Sequence, residues 1–76
     1  QLSVYPNPSK NLINVDLEQN NFDSAIVTIY SLQGQKLKAK EVNQNDIIDI
    51  SDLRTGVYVL RYSIDDFSIF RKIIKE

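Results

Sequence analysis

Apolar and polar residues alternate along most of this chain with a period of two rather than 3.6, the mark of strands covered on one face. Leu12-Ile13-Asn14-Val15-Asp16-Leu17 sets Ile13, Val15 and Leu17 on one side and Asn14 and Asp16 on the other. Ser24 to Tyr30 is mostly β-branched and apolar through Ile26, Val27, Thr28 and Ile29, which suits an inner strand. Gly34, between Gln33 and Gln35, supplies positive φ at no steric cost and marks a turn. Lys36 to Val42 then alternates, with Leu37 and Ala39 on one face and Lys36, Lys38 and Lys40 on the other. Three lysines on one face read as a solvated strand guarded against edge-to-edge pairing.

Asn43-Gln44-Asn45-Asp46 is a turn cluster, and Ile47-Ile48-Asp49-Ile50 is a short strand after it. Ser51 to Gly56 predicts a single helical turn, capped by Ser51 and ended by Gly56. Val57 to Ile64 is the most strand-like run of all. Its polar members, Arg61 and Ser63, share a face with Val57 and Val59, so Tyr58, Leu60, Tyr62 and Ile64 point inward. Asp65-Asp66 turns the chain into a last strand, Phe67 to Ile74, without the glycine that a two-residue hairpin prefers. In that strand Ile69 and Ile73 alternate against Phe70 and Ile74, so the pattern does not choose the buried face.

Near the start, Tyr5-Pro6-Asn7-Pro8 is unusual. Each proline fixes φ, lacks an N–H and biases the residue before it toward an extended shape. The expectation is an extended stretch that cannot join a ladder through those positions. Counting Ser3 to Tyr5, about seven strands joined by short turns predict an all-β antiparallel sandwich.

Length allows one domain. A chain of 76 residues buries roughly 60% of its unfolded surface, so its stability is modest. Ten acidic and nine basic residues leave a formal charge of −1, which argues against nucleic acid as a partner. No cysteine is present, so disulfides and thiol chemistry are excluded, and no run is apolar for the eighteen or so residues of a transmembrane segment. The chain starts at Gln1 without Met or a leader and runs out through Ile73-Ile74-Lys75-Glu76. It is therefore expected to be the end of a larger protein, spanning 1–76 as a single domain.

With neither His nor Cys, the common nucleophile–base pairs and most transition-metal sites are absent, and no catalytic, cofactor-binding or metal residue is assigned. Asp46, Asp49 and Asp52, spaced by three, are the best carboxylate cluster for acid–base work or calcium. The plainer reading carries more weight. On a strand Asp46 and Asp52 share a face but stand about 20 Å apart. Asp65-Asp66 is a turn before it is a ligand. Tyr5, Tyr30, Tyr58 and Tyr62 could make a stacking platform, yet they sit in apolar strands and fit core packing with hydroxyls at the rim. Lys72 and Lys75, taken alone, are solvated strand ends.

Four pieces in order carry a resemblance: Val4-Tyr5-Pro6-Asn7-Pro8; Val27-Thr28-Ile29-Tyr30 with Gly34-Gln35; Ile48-Asp49-Ile50-Ser51-Asp52-Leu53 leading to Gly56-Val57-Tyr58-Val59-Leu60; and Lys72-Ile73-Ile74-Lys75. Together they resemble the type A C-terminal sorting domain of the type IX secretion system, over nearly the whole chain. The resemblance implies an immunoglobulin-like sandwich that is not an enzyme. It implies a sorting signal that directs an attached cargo protein through the outer-membrane translocon, with a sortase removing the domain. The route is the periplasm in transit, then the cell surface or the outside of a Gram-negative bacterium. By motif, Pro6, Asn7 and Pro8 match the proline element, Gly56 and Tyr58 the glycine–tyrosine element, and Lys72 to Lys75 the terminal basic element. Ser31 stands where the family often has Asp or Asn, and an acidic Glu76 follows the basic element.

The implied partners are the translocon and sortase components and the upstream cargo domain. No cofactor is expected. A monomer is the expected state, with strand-edge pairing as the route to a dimer. The alternative function is an accessory sandwich that binds polysaccharide or protein for a secreted enzyme or adhesin, which requires an exposed aromatic platform.

Overall fold

A computed structural model describes residues 2–18 and 24–76 and is all-β, with seven antiparallel strands in two sheets. The strands are β1 (Leu2–Tyr5), β2 (Leu12–Leu17), β3 (Ala25–Tyr30), β4 (Lys36–Val42), β5 (Asn45–Asp49), β6 (Gly56–Ile64) and β7 (Phe67–Lys75). One sheet has the order β1-β2-β5 and the other β4-β3-β6-β7. Their inner faces close on a single core, so the chain is the antiparallel β-sandwich that its alternation predicts.

Register explains which side chains fill that core. Ile13, Val15 and Leu17 of β2 lie opposite Ile48, Asp46 and Gln44 on one side, and Val15 and Leu17 face Val4 and Leu2 on the other. In the larger sheet, Val27 and Ile29 stand beside Tyr62 and Leu60, which in turn stand beside Ile69 and Arg71. Leu60 and Tyr62 have no exposed surface, and Tyr58 packs against the same cluster, so β6 faces inward as its pattern requires. For β7 the structure decides the open question. Ile69, Ile73 and Lys75 share the inward face with Tyr62, Tyr58 and Gly56, while Phe70 and Ile74 point out.

Four expectations are corrected. Residues 51–55 form turns, not a helical turn, and are closed by the Leu53 N–H donating to the Ile50 carbonyl at 3.0 Å. A short segment between two strands of opposite sheets has no room to continue the i→i+4 pattern. Pro6 and Pro8 end β1 as expected, but residues 6–8 are bends rather than an extended run, and both X–Pro bonds are cis. The last hairpin does turn at Asp65-Asp66 as expected, with Asp65 supplying the positive φ (52°) in place of glycine, a conformation that Asp tolerates better than most residues. Tyr5 is exposed, and Tyr30 lies on the outer face of its sheet, so only Tyr58 and Tyr62 belong to the core.

The lysine face of β4 is the fourth. Lys38 and Lys40 pair in register with Ile29 and Val27, so they lie on the inward face, at its rim, while Ala39 faces out. Their ammonium groups reach across to the edge strand of the other sheet. Lys40 donates to the Ile47 carbonyl at 2.6 Å and Lys38 to the Asp49 carbonyl at 3.0 Å. Ion pairs to Asp46 (3.4 Å) and Asp52 (2.8 Å) complete the seam. The stems cover apolar rim while the charges stay wet.

Candidate functional site

Chain direction places seven sequence-singled residues at one end of the sandwich. β1 ends there at Tyr5, β6 begins there at Gly56, and β7 ends there at Lys75. Leu2, opposite Leu17, lies at the other end. Pro6, Asn7, Pro8, Gly56, Tyr58, Lys72 and Lys75 are thus gathered from both termini and the middle of the sequence.

Asn7 makes the join. A strand following Pro6 and Pro8 cannot ladder through its backbone, since neither proline has an N–H. The Asn7 side-chain amide takes the place of a peptide group. Its Nδ2 donates to the Lys72 carbonyl at 3.0 Å, and its Oδ1 accepts from the Ile74 N–H at 2.9 Å. Ser9 continues the pairing with its main chain: its N–H donates to the Ile74 carbonyl at 2.9 Å, and its carbonyl accepts from the Glu76 N–H at 2.8 Å. Residues 6–9 therefore form a strap along the last part of the β7 edge, with Ser9 and Lys75 as a parallel bridge. Ser9 is buried, and its hydroxyl donates to the Leu12 carbonyl at 2.5 Å. Sequence reasoning missed Ser9. The signal was available, because the first N–H after two prolines is the first that can reach a neighbouring edge.

The remaining residues divide by role. Gly56 pairs with Lys75 and has φ 158°, in the range that favours glycine but just short of full extension. A Cβ there would meet nothing nearer than a Tyr58 ring carbon at 4.0 Å, so its demand is on the backbone and not on space. Tyr58 pairs with Ile73 and anchors the preceding loop by donating its hydroxyl to the Arg54 carbonyl at 2.6 Å. The two lysines separate. Lys72 is exposed, as expected of a strand end, but Lys75 is only 8% exposed and donates to the Glu76 main-chain oxygen at 2.8 Å. It faces inward because it shares the Ile73 side of β7. Beside this end lies an open groove of about 570 Å³, lined by Leu32, Leu37, Leu53, Val57 and Tyr58 among others.

No reactive constellation accompanies this arrangement. Among the described residues there is no group of three metal-ligating side chains. Asp46, Asp49 and Asp52 each serve the main chain or a lysine. The tyrosines do not form a platform, since Tyr58 and Tyr62 face the core.

The aspartates do make stability depend on pH. The N–H groups of Ile47 and Asn43, helped by Lys40, hold the Asp46 carboxyl below the usual aspartate value of 3.8. The Ser51 hydroxyl and then its N–H do the same for Asp49, and the Lys38 hydrogen bond does so for Asp52. Folding favours the carboxylate in each case. Their contribution is present above 3.8 and lost as pH falls through the lower folded values. Tyr62 shifts the other way. Burial, then the charges of Asp16 and Asp46, raise its hydroxyl above 10.0, so its contribution is present below that value and lost as pH climbs past it. Thermal melts should therefore give a midpoint that is flat between about pH 5 and pH 9 and falls on both sides. Asp46→Asn should shallow the acid limb. A midpoint that rises on acidification below 3.8 would contradict this assignment.

Over residues 3–76 the chain matches the family described as a secretion system C-terminal sorting domain. No curated protein matches it.

Proposed function

This chain belongs to the C-terminal sorting domains of the type IX secretion system, and from that premise we propose that the strapped end of the sandwich is the surface its translocon reads. The domain is a sorting signal, of a family that is not catalytic, and it implies interaction with the type IX machinery and export to the cell surface or beyond. In the proposed course of events it closes a larger exported protein and travels with it through the periplasm. The outer-membrane translocon engages it there, and a surface sortase then removes it, leaving the cargo attached or released.

The observation that carries this reading is convergence. Pro6-Asn7-Pro8, Gly56 with Tyr58, and Lys72 to Lys75 meet at one end through direct hydrogen bonds and strand pairing. A machine that must accept many different cargoes needs a rigid, composite surface away from the cargo. Leu2 lies at the opposite end, so an upstream domain would leave the strapped end free. Lys72 presents its charge to solvent there, while Asn7, Gly56, Tyr58 and Lys75 shape the backbone that holds it.

The test is a fusion of this segment behind a fluorescent protein that carries an N-terminal export signal. Surface or extracellular fluorescence should appear in cells with the translocon, and periplasmic fluorescence in cells without it. Deleting 70–76 removes both partners of the strap and should also leave the fusion in the periplasm. Equal delivery by the truncated fusion, or delivery without the translocon, would overturn the reading.

A further inference from the structure

The sandwich has four strand edges, and three of them are closed to further pairing. β1 has four residues and stops at Pro6. β4 carries Lys38 and Lys40 on its inward side, held in the seam with β5, and inward-pointing charges of this kind discourage edge pairing. β5 is capped by side chains: Asp46 Oδ1 accepts from the Ile47 N–H at 2.8 Å, Lys40 donates to the Ile47 carbonyl and Lys38 to the Asp49 carbonyl. β7 is different. At nine residues it is as long as any strand, and the strap covers only its end from Lys72 onward. From Phe67 to Arg71 no described strand lies on the side of β7 away from β6.

That open half has a definite hydrogen-bonding face. The N–H and carbonyl of Ile74 both point at the strap, so in an antiparallel ladder Lys72, Phe70 and Ser68 also turn their main-chain groups away from β6. The Lys72 carbonyl is taken by Asn7 Nδ2, and ahead of the strap the Phe70 carbonyl accepts an exposed bond from the neighbouring Arg71 guanidinium at 2.9 Å. Phe67 and Phe70 are 51% and 58% exposed, and Arg71 is exposed.

We infer that this edge pairs with the same edge of a second copy, antiparallel, about a two-fold axis at Ile69. The strap selects the register. An axis one outward-facing residue later, at Phe70, would drive the Asp65-Asp66 hairpin of the second copy into Asn7 and Ser9 at Ile74. An axis at Ile69 brings that hairpin level with Lys72, whose carbonyl keeps its bond from Asn7, so main-chain pairing ends at Phe67 and Arg71 and only the Asp66 and Lys72 side chains meet beyond it. In this register Ser68 and Phe70 exchange main-chain hydrogen bonds with Phe70 and Ser68 of the second copy. Three of the side-chain pairings are complementary, and the Ser68–Phe70 pair is neutral. Ile69 meets Ile69. The Arg71 guanidinium, released from the Phe70 carbonyl, lies against the Phe67 ring of the second copy. Lys72 meets Asp66, so opposite charges face each other at both ends of the ribbon. The two larger sheets become one continuous sheet, and no like charges are set opposite.

The paired ribbon of five residues, Phe67 to Arg71, is about 17 Å long. It covers less than the roughly 800 Å² per partner of a stable complex, so association depends on concentration. The main-chain bonds it needs lie between Phe67 and Arg71, outside the strap, although its Asp66–Lys72 contact borrows the exposed lysine of the proposed sorting surface.

Sedimentation equilibrium of the 76-residue chain, from micromolar to millimolar concentration, tests it. The mass should climb from 8.8 kDa toward twice that value. Phe70→Pro removes one outward N–H and none used by β6, and should hold the mass at one copy. Asp66→Lys and Lys72→Asp should each raise the dissociation constant roughly tenfold by setting like charges opposite. The double variant should restore it, which a merely structural role for either residue would not. A chain that keeps the mass of one copy throughout, with the Phe70 amide exchanging freely at every concentration, would leave the edge to a foreign strand and overturn the inference. Failure of the double variant to recover would overturn the register.

Discussion

Replacing Tyr62 by alanine should lower the melting midpoint by roughly 15–30 °C, the largest single-residue effect on stability expected in this domain. Tyr62 has no exposed surface and sits between Val27 of β3 and Ile69 of β7, at the centre of the four-stranded sheet. Truncating a buried ring of this kind costs about 3–5 kcal/mol. A chain of 76 residues has on the order of 4–11 kcal/mol in all, so the variant would stand near its unfolding threshold at ordinary temperature. Tyr62→Phe separates ring from hydroxyl. The hydroxyl lies 3.5 Å from the Asn43 carbonyl, at the long limit of a hydrogen bond, so its loss should cost less than about 1 kcal/mol. A Tyr62→Ala midpoint within a few degrees of the parent would mean that β6 does not face the core.

Asn7→Asp should release the strap and, with it, secretion. The change removes the Nδ2 donor to the Lys72 carbonyl and sets a second carboxylate oxygen against that carbonyl. The bond from the Ile74 N–H to Oδ1 depends on the same side chain and weakens as the strap lifts, so the damage concentrates at one end of the domain. Loss of one hydrogen bond plus this repulsion should destabilise by about 1–3 kcal/mol. Because the core strands do not depend on Asn7, the strap should open locally before the domain unfolds. Hydrogen exchange reads this directly: the Ile74 and Glu76 amides should lose protection while those of β3 and the middle of β6 keep it. In the fluorescent fusion, the same variant should accumulate in the periplasm although it is folded. Unchanged protection at Ile74 would remove the structural claim. Full secretion with an opened strap would instead separate sorting from the strap.

These substitutions address different layers of the molecule. Tyr62 holds the two sheets together, whereas Asn7 shapes one end of a body already folded. The division suits a signal domain. Its core must survive without disulfides, and its recognition surface is assembled from short segments that the core merely brings near each other.

Much of the fold was legible in the residue order. Alternation named the inward faces of β2 and β6, because Asn14 and Asp16, or Arg61 and Ser63, leave only one side apolar. Seven strands with short turns allow little except a sandwich, and the lack of His and Cys removed most chemistry before any geometry was known.

What the tertiary structure alone decided turns on partners far away in sequence. β7 is apolar on both sides, so only its register with β6 turns Ile69 and Ile73 inward. Lysines on β4 look solvated until the edge of β5 arrives with carbonyls for Lys38 and Lys40 to cap. Lys75 is buried because it shares the face of Ile73, and Asn7 matters because its two bonds reach Lys72 and Ile74, 65 and 67 residues on. A period of two records that side chains alternate. Which side meets another strand is a property of the assembled sheets.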